Sequence, residues 1–140
     1  MPLQIAITAD PDIAIPPTLY GGIERVIDML VNGLTLRGHQ VTLFAHPGSK
    51  VPCQLQPYIS EQPSLFSNAW QVSSVLLREK FDIVHSFGRL AYLFPTLPLA
   101  IPKLMSYQRA ITRRSAVWGS RLARGTLHFS GCSRYLIRSF

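Results

Sequence analysis

Leu3-Gln4-Ile5-Ala6-Ile7-Thr8 opens the chain. Across a proline-rich gap comes Tyr20-Gly21-Gly22-Ile23-Glu24-Arg25-Val26-Ile27-Asp28-Met29-Leu30-Val31-Asn32-Gly33-Leu34, and Val41-Thr42-Leu43-Phe44-Ala45 follows. The first stretch is short, apolar and β-competent, as a strand buried on both faces must be. Pro11, Pro16 and Pro17 keep the gap out of regular structure. From Ile23 to Arg37 the apolar period is helical: Ile23, Val26, Ile27, Leu30, Val31 and Leu34 share one face, and Glu24, Arg25, Asp28, Asn32 and Thr35 share the other. Gly38 is placed to end that helix, and Val41–Ala45 reads as a second buried strand. The result is a β-loop-α-β unit with its two strands parallel.

The remainder repeats the alternation less regularly. Pro47, Gly48, Pro52, Pro57 and Pro63 make residues 46–66 mostly loop, with at most a short strand near Leu55–Ile59. Ser67 is placed to cap a helix running to about Lys80. Asp82–Ser86 reads as a strand, and Gly88–Phe94 as a short helix stopped by Pro95 and Pro98. Lys103–Tyr107 reads as a strand, Arg109–Arg124 as a helix and Leu127–Gly131 as a strand; Ser133 opens a last turn through Phe140. The fold expected is α/β: a doubly wound, mostly parallel, Rossmann-like sheet, with residues 1–140 as a single domain.

Composition agrees with a packed domain. Apolar residues make up 47% of the 140 and charged residues 15%, which excludes a disordered chain. No apolar run reaches the length a membrane span needs, and the opening residues lack the basic region and cleavage site of a secretory signal. Cys53 and Cys132 match neither a disulfide framework nor a metal spacing, so a reducing cytoplasm is the expected compartment and no metal is expected. Charge is uneven: the net is +7, the last acidic residue is Asp82, and every charged residue after it is basic. That asymmetry points to an anionic partner, or to an acidic remainder of a larger protein.

In a doubly wound sheet, ligands bind beyond the carboxyl ends of the strands, where strand order reverses. The candidate positions are therefore Ala9 to Gly22, His46, Ser86 to Arg89, Gln108, and Cys132 to Ser133. Gly21-Gly22 leads straight into a helix N-terminus, whose free N–H groups and positive dipole end favour an anion. Taken alone, the pair is as well explained by tight loop closure. The dinucleotide fingerprint Gly-x-Gly-x-x-Gly does not follow the first strand.

Ile15-Pro16-Pro17-Thr18-Leu19-Tyr20-Gly21-Gly22-Ile23-Glu24-Arg25-Val26, together with Leu34-Thr35-Leu36-Arg37-Gly38-His39-Gln40-Val41-Thr42-Leu43-Phe44-Ala45, resembles the opening of family 4 glycosyltransferases. Lys80-Phe81-Asp82-Ile83-Val84-His85-Ser86 and Phe129-Ser130-Gly131-Cys132-Ser133-Arg134-Tyr135 extend the resemblance along nearly the whole chain. It implies the N-terminal, acceptor-side half of a GT-B architecture in a retaining enzyme. Such an enzyme uses a nucleotide sugar as co-substrate, without a metal or other cofactor, and a sugar or lipid-linked acceptor. By the same resemblance Gly21 and Gly22 contact the donor diphosphate, Glu24 and Arg25 order the loop or cover a helix turn, and His85 lies near the acceptor; a hydrogen-bonded core histidine explains His85 equally well. Ser86 and Arg89 join it as substrate-binding candidates. Where many family members carry a histidine after the strand matching Lys103–Tyr107, this chain has Gln108, which can hydrogen-bond a sugar hydroxyl but cannot move a proton.

The chain ends before the second Rossmann-like domain that holds most of the family's donor site. The expectation is that it does not turn over alone, and is a fragment, a split half, or a module pairing with a separate donor-binding chain. The alternative reading is a non-catalytic sugar- or phosphate-binding module. A missing half would leave crevice surface that invites homodimerisation. A phosphoacceptor reading of Asp10 and Asp12 fails for want of an Asp ending a central strand. Along the helix expected over Arg109–Arg124, Arg109, Arg113, Arg114, Arg121 and Arg124 share one arc, with Ile111, Trp118 and Leu122 placed on the other side. That is either a solvated face or a surface for anionic lipid at the inner face of a membrane. Nucleic acid is not expected, because aromatic residues are not interleaved with the basic ones.

Overall fold

The computed structural model of the chain describes residues 1–59, 64–108 and 112–138. Six strands form one sheet: β1 (Gln4–Thr8), β2 (Gln40–Ala45), β3 (Gln54–Pro57), β4 (Ile83–Ser86), β5 (Lys103–Tyr107) and β6 (Leu127–Gly131). Their order is β3-β2-β1-β4-β5-β6 and every pairing is parallel. The expected mostly parallel α/β sheet is therefore wholly parallel. Strand order reverses between β1 and β4, with Ile5 opposite Ile83 and Thr8 opposite Ser86.

Alternation along the central strands divides the core into two layers. Ile5, Ile7, Val41 and Leu43 face α1 (Gly22–Leu36) and bury its Ile27 and Val31, with Ile23, Val26, Leu30 and Leu34 packed around them. The predicted apolar stripe is thus the buried one, and full burial of each such side chain stabilises the fold by roughly 1.5–3 kcal/mol. Ala6, Phe44, Val84 and Met105 face the opposite side, against α2 (Leu65–Arg78), a 3₁₀ segment (Leu90–Thr96) and α3 (Arg113–Ala123). A short α4 (Arg134–Arg138) follows β6.

Four local expectations change. Glu24, assigned to the solvent face of α1, is only 9% exposed and folds back against Gly21. Ser64, not Ser67, caps α2; its hydroxyl accepts from the Ser67 backbone N–H, and Ser67 answers as the other half of a capping box. The turn after β4 is 3₁₀ and runs through Pro95 instead of stopping before it, because shorter-range bonds such as Thr96 Oγ1 to the Leu93 carbonyl hold it.

The fourth concerns α3. Its buried stripe is Ala116, Gly119 and Ala123, and Trp118 is 57% exposed. A Cβ on Gly119 would come within 2.9 Å of Leu90 Cδ2, so small residues are what let α3 approach the 3₁₀ segment closely. The bulky Trp118 is then left outside, among Arg113, Arg114, Arg121 and Arg124, all exposed. Arg109 and Ile111 lie outside the described residues.

Candidate functional site

At the switch point the chain leaves β1 and β4 side by side. The Ala9 N–H donates to the Phe44 carbonyl (2.8 Å) and the Phe87 N–H to the Thr8 carbonyl (2.8 Å), extending the ladders one step past each strand. Above them lies an open cavity of about 560 Å³. Asp10 and Asp12 enter it from the β1 loop, Arg89 from the β4 loop, Tyr107 and Gln108 from the end of β5, and Thr112 and Ser115 from the start of α3. Ile23, in the first turn of α1, also lines it, so the N-terminus of that helix stands at the rim. A separate, smaller pocket of about 100 Å³ toward α2 shares Asp10, Asp12 and Arg89 with it and brings them together with Tyr92 and Asn68. Burial pushes the Tyr92 phenol upward, Asn68 pulls it back, and the charges of Asp10, Arg89 and Asp12 act on it from around the cavity.

The sequence candidates distribute unevenly. Arg89 and Gln108 both line the cavity. Ser86 does not: it is fully buried, and its hydroxyl is hydrogen-bonded to the equally buried Thr8. Its side chain points into the α2 layer, where it joins the two central strands. His85 points the other way, into a neighbouring hollow of about 260 Å³ that also reaches Gln108 and Cys132. There its Nε2 is 2.7 Å from Ser106 Oγ and its ring stacks on Phe87 at 4.4 Å. Phe87, Ser106, Tyr107 and Gln108 line both spaces, so His85 meets the main cavity through the Phe87 ring and the Ser106 hydroxyl.

Burial lowers the His85 pKa from 6.5 to about 4. The ring is neutral at pH 7. Because the folded-state value lies below the unfolded one, its contribution is intact above pH 6.5 and is lost as pH falls toward 4. His85→Gln is expected to flatten that part of the stability profile, read as urea midpoints at neutral and mildly acidic pH. An unchanged acid slope would remove His85 from the account.

Gly21 and Gly22 play different parts. Gly21 has φ +149° and is buried, and a Cβ there would lie 2.8 Å from Pro17 Cβ and 2.9 Å from Glu24 Oε2. Gly22 is exposed with nothing within 4 Å of a would-be Cβ. No side chain caps α1, so an anion at Gly22 would meet the bare helix end. Arg25 is turned to the loop, its Nη2 donating to the Leu19 carbonyl (2.9 Å), and so orders the Pro-rich approach.

His39 and His46 have structural roles. Nδ1 of His39 accepts from the Leu3 N–H at the amino end of the sheet (3.1 Å), and Nδ1 of His46 accepts from the Gly48 N–H within its own turn (2.9 Å). Asp82 accepts from the Gln4 N–H (2.7 Å), also at the amino end. Cys53 and Cys132 are both free thiols. Among the described residues, no group of three or more His, Cys, Asp or Glu stands together as a metal site would require. Asp10 and Asp12 lie in the Ala9–Gly22 stretch expected at the crevice, but the sequence reading weighed them only as phosphoacceptors and not as substrate-binding residues. Their position just after β1, at the switch point, was the signal available.

Residues 20–136 match the family described as Glycosyltransferase Family 4. The chain belongs to that family. Its fold recurs in solved glycosyltransferases. AviGT4, a glycosyltransferase involved in avilamycin A biosynthesis, is 25% identical with TM-score 0.56, over 78% of this chain and 33% of that one. A glycosyltransferase from Rickettsia africae is 16% identical with TM-score 0.71, over 98% and 38%. MurG from Acinetobacter baumannii is 19% identical with TM-score 0.51, over 88% and 40%. No curated protein matches the chain. This family 4 domain thus has a GT-B-type Rossmann-like half-fold, and it spans between a third and two-fifths of the solved chains it resembles.

Proposed function

We propose that this family 4 domain is the acceptor-side half of a retaining, nucleotide-sugar-dependent glycosyltransferase, and that it transfers sugar only when joined by a donor-binding half. The observation that carries the reading is the cavity at the β1/β4 switch point in a chain of this family. Its polar groups suit a polyhydroxylated acceptor. Asp12 and Asp10 offer carboxylate acceptors to sugar hydroxyls, the Gln108 amide offers both donor and acceptor, and Arg89 offers a fixed cation for an anionic substituent.

Gly22 at the bare N-terminus of α1 is the proposed contact for the donor diphosphate. Exposed backbone N–H groups there stabilise charge as it develops on the leaving group. A domain providing donors from one side only leaves that charge half compensated, which is why turnover is assigned to the joined protein. No metal or other cofactor is required by this arrangement, and the nucleotide sugar is the co-substrate.

The test is transfer or hydrolysis of nucleotide sugars by the chain alone and by the chain joined to a family 4 C-terminal half. The joined protein should turn over and the chain alone should not. In the joined protein, Asp12→Asn and Arg89→Gln should each raise the acceptor KM or lower kcat at least tenfold, with the melting temperature unchanged. A joined protein that binds no nucleotide sugar would overturn the catalytic reading in favour of a non-catalytic binding module.

A further inference from the structure

We propose that the helical layer built from α2, the 3₁₀ segment and α3 is a docking face for an anionic lipid bilayer. The inference does not depend on the transferase chemistry. It rests on what those three elements carry and where they carry it. None contains an Asp or Glu, whereas α1, on the other side of the sheet, carries Glu24 and Asp28. Arg78, Arg113, Arg114 and Arg121 lie within them, Arg124 follows α3, and all five are exposed; Arg89 faces the cavity of Asp10 and Asp12 instead.

Apolar side chains stand exposed in the same layer: Phe66, Trp70 and Leu77 on α2, Phe94 on the 3₁₀ segment (58%) and Trp118 on α3. On α3 the geometry is specific. Ala116, Gly119 and Ala123 turn inward, which directs Arg114, Trp118 and Arg121 outward together. Leu90, Phe94 and Trp118 wall a groove of about 370 Å³ between α3 and the 3₁₀ segment, and Arg114 is its one charged lining residue.

Charge complementarity selects the occupant. The α3 arginines sit on a helix with no carboxylate of its own, so they meet an anionic surface with little repulsion, each arginine near such a surface strengthening binding roughly fivefold. Charge alone would serve nucleic acid equally well. The exposed Phe66, Leu77 and Phe94, and a groove with apolar walls, are instead what an interface of head groups and acyl chains accepts. Among the described residues no helix is long and apolar enough to cross a membrane, so the contact is a surface one.

The experiment is flotation of the chain with vesicles of phosphatidylcholine alone, or of phosphatidylcholine mixed with phosphatidylglycerol, at low and physiological salt. Binding is expected with the mixed vesicles and at least tenfold weaker with phosphatidylcholine. Arg114→Gln and Arg121→Gln should each weaken it roughly fivefold. The exposed-site variants Phe94→Ser and Trp118→Ser should weaken it about tenfold with melting unchanged. In a Trp70→Phe background, the Trp118 emission should shift to the blue on binding.

Three results would each overturn the proposal. Aromatic variants that bind mixed vesicles as well as the parent would leave charge alone in play. Stronger retention on single-stranded RNA than on mixed vesicles, lost in the same arginine variants, would make this a nucleic-acid surface. A self-associated parent rendered monomeric by Trp118→Ser, with no vesicle binding, would assign the face to a second copy of the chain.

Discussion

Gly21→Ala is expected to cost the fold about 3 kcal/mol, whereas Gly22→Val one residue on is expected to cost little stability but to weaken donor binding at least tenfold. The asymmetry follows from backbone and space. Gly21 sits at φ +149°, a conformation an L side chain adopts only at a cost of order 1–3 kcal/mol. Its Cβ would press within 2.8 Å of the Pro17 ring and 2.9 Å of the Glu24 carboxylate, and forcing atoms into such a gap costs a comparable amount. Relief would require Pro17, itself buried, or Glu24 to move, and both shape the approach to α1.

Gly22 has open space, so a side chain there is tolerated by the fold but stands over the helix N–H groups. Urea midpoints should fall steeply for the first variant and stay near the parent for the second. Nucleotide-sugar affinity, measured in the joined protein, should fall at least tenfold for Gly22→Val. Equal destabilisation by both variants, or unaltered affinity in the second, would contradict the division of labour.

The second large effect is expected at the opposite end of the sheet. Lys103 is 1% exposed, and its Nζ donates to the carbonyls of Leu99 and Ile101 (both 2.8 Å) and to Thr126 Oγ1 (3.1 Å). The amine thus ties the loop before β5 to the start of β6. Lys103→Met fills similar volume but leaves two carbonyls dry. An unsatisfied buried group costs roughly 1–3 kcal/mol, offset in part by not having to bury an ammonium, for a net loss of about 2 kcal/mol.

Burial pulls the lysine below its usual 10.5. The parent should therefore gain stability as pH rises toward 10.5, since the folded state releases its proton first. The methionine variant should lack that gain. A variant as stable as the parent at neutral pH would show that water replaces the amine at no cost.

Much of the fold was legible because periodicity was strong where burial was strong. The stripe Ile23-Val26-Ile27-Leu30-Val31-Leu34 and strands β1, β2, β5 and β6 emerge within a residue or two of their expected bounds. The carboxyl-end rule placed the crevice as well, with Arg89 and Gln108 in it. Side-chain direction in β4 was not legible. Ile83-Val84-His85-Ser86 is buried or half-buried throughout, so no apolar–polar alternation shows which of His85 and Ser86 faces which layer.

Trp118 was misplaced for a related reason. An apolar-stripe argument seats the largest residue inward, but α3 packs through Ala116, Gly119 and Ala123, and close approach leaves no room for an indole. The interleaving of Trp118 with arginines, which the sequence projection denied, is a consequence. Asp10 and Asp12 were hidden by their loop, where no period exists to orient them.

Strand order also bears on how the chain comes into being. β1 lies at the middle of the sheet, and its two neighbours are made at very different times. β2 can dock as soon as residue 45 has emerged, but β4 is complete only at Ser86, about 40 residues later. At a synthesis rate of roughly 5–20 residues per second, one flank of this central, buried strand waits for roughly two to eight seconds beside the ribosome. During that interval Gln4–Thr8 offers a ready template to any other extended segment. The order of the strands thus leaves the nascent chain with an unpaired central edge until β4 is complete.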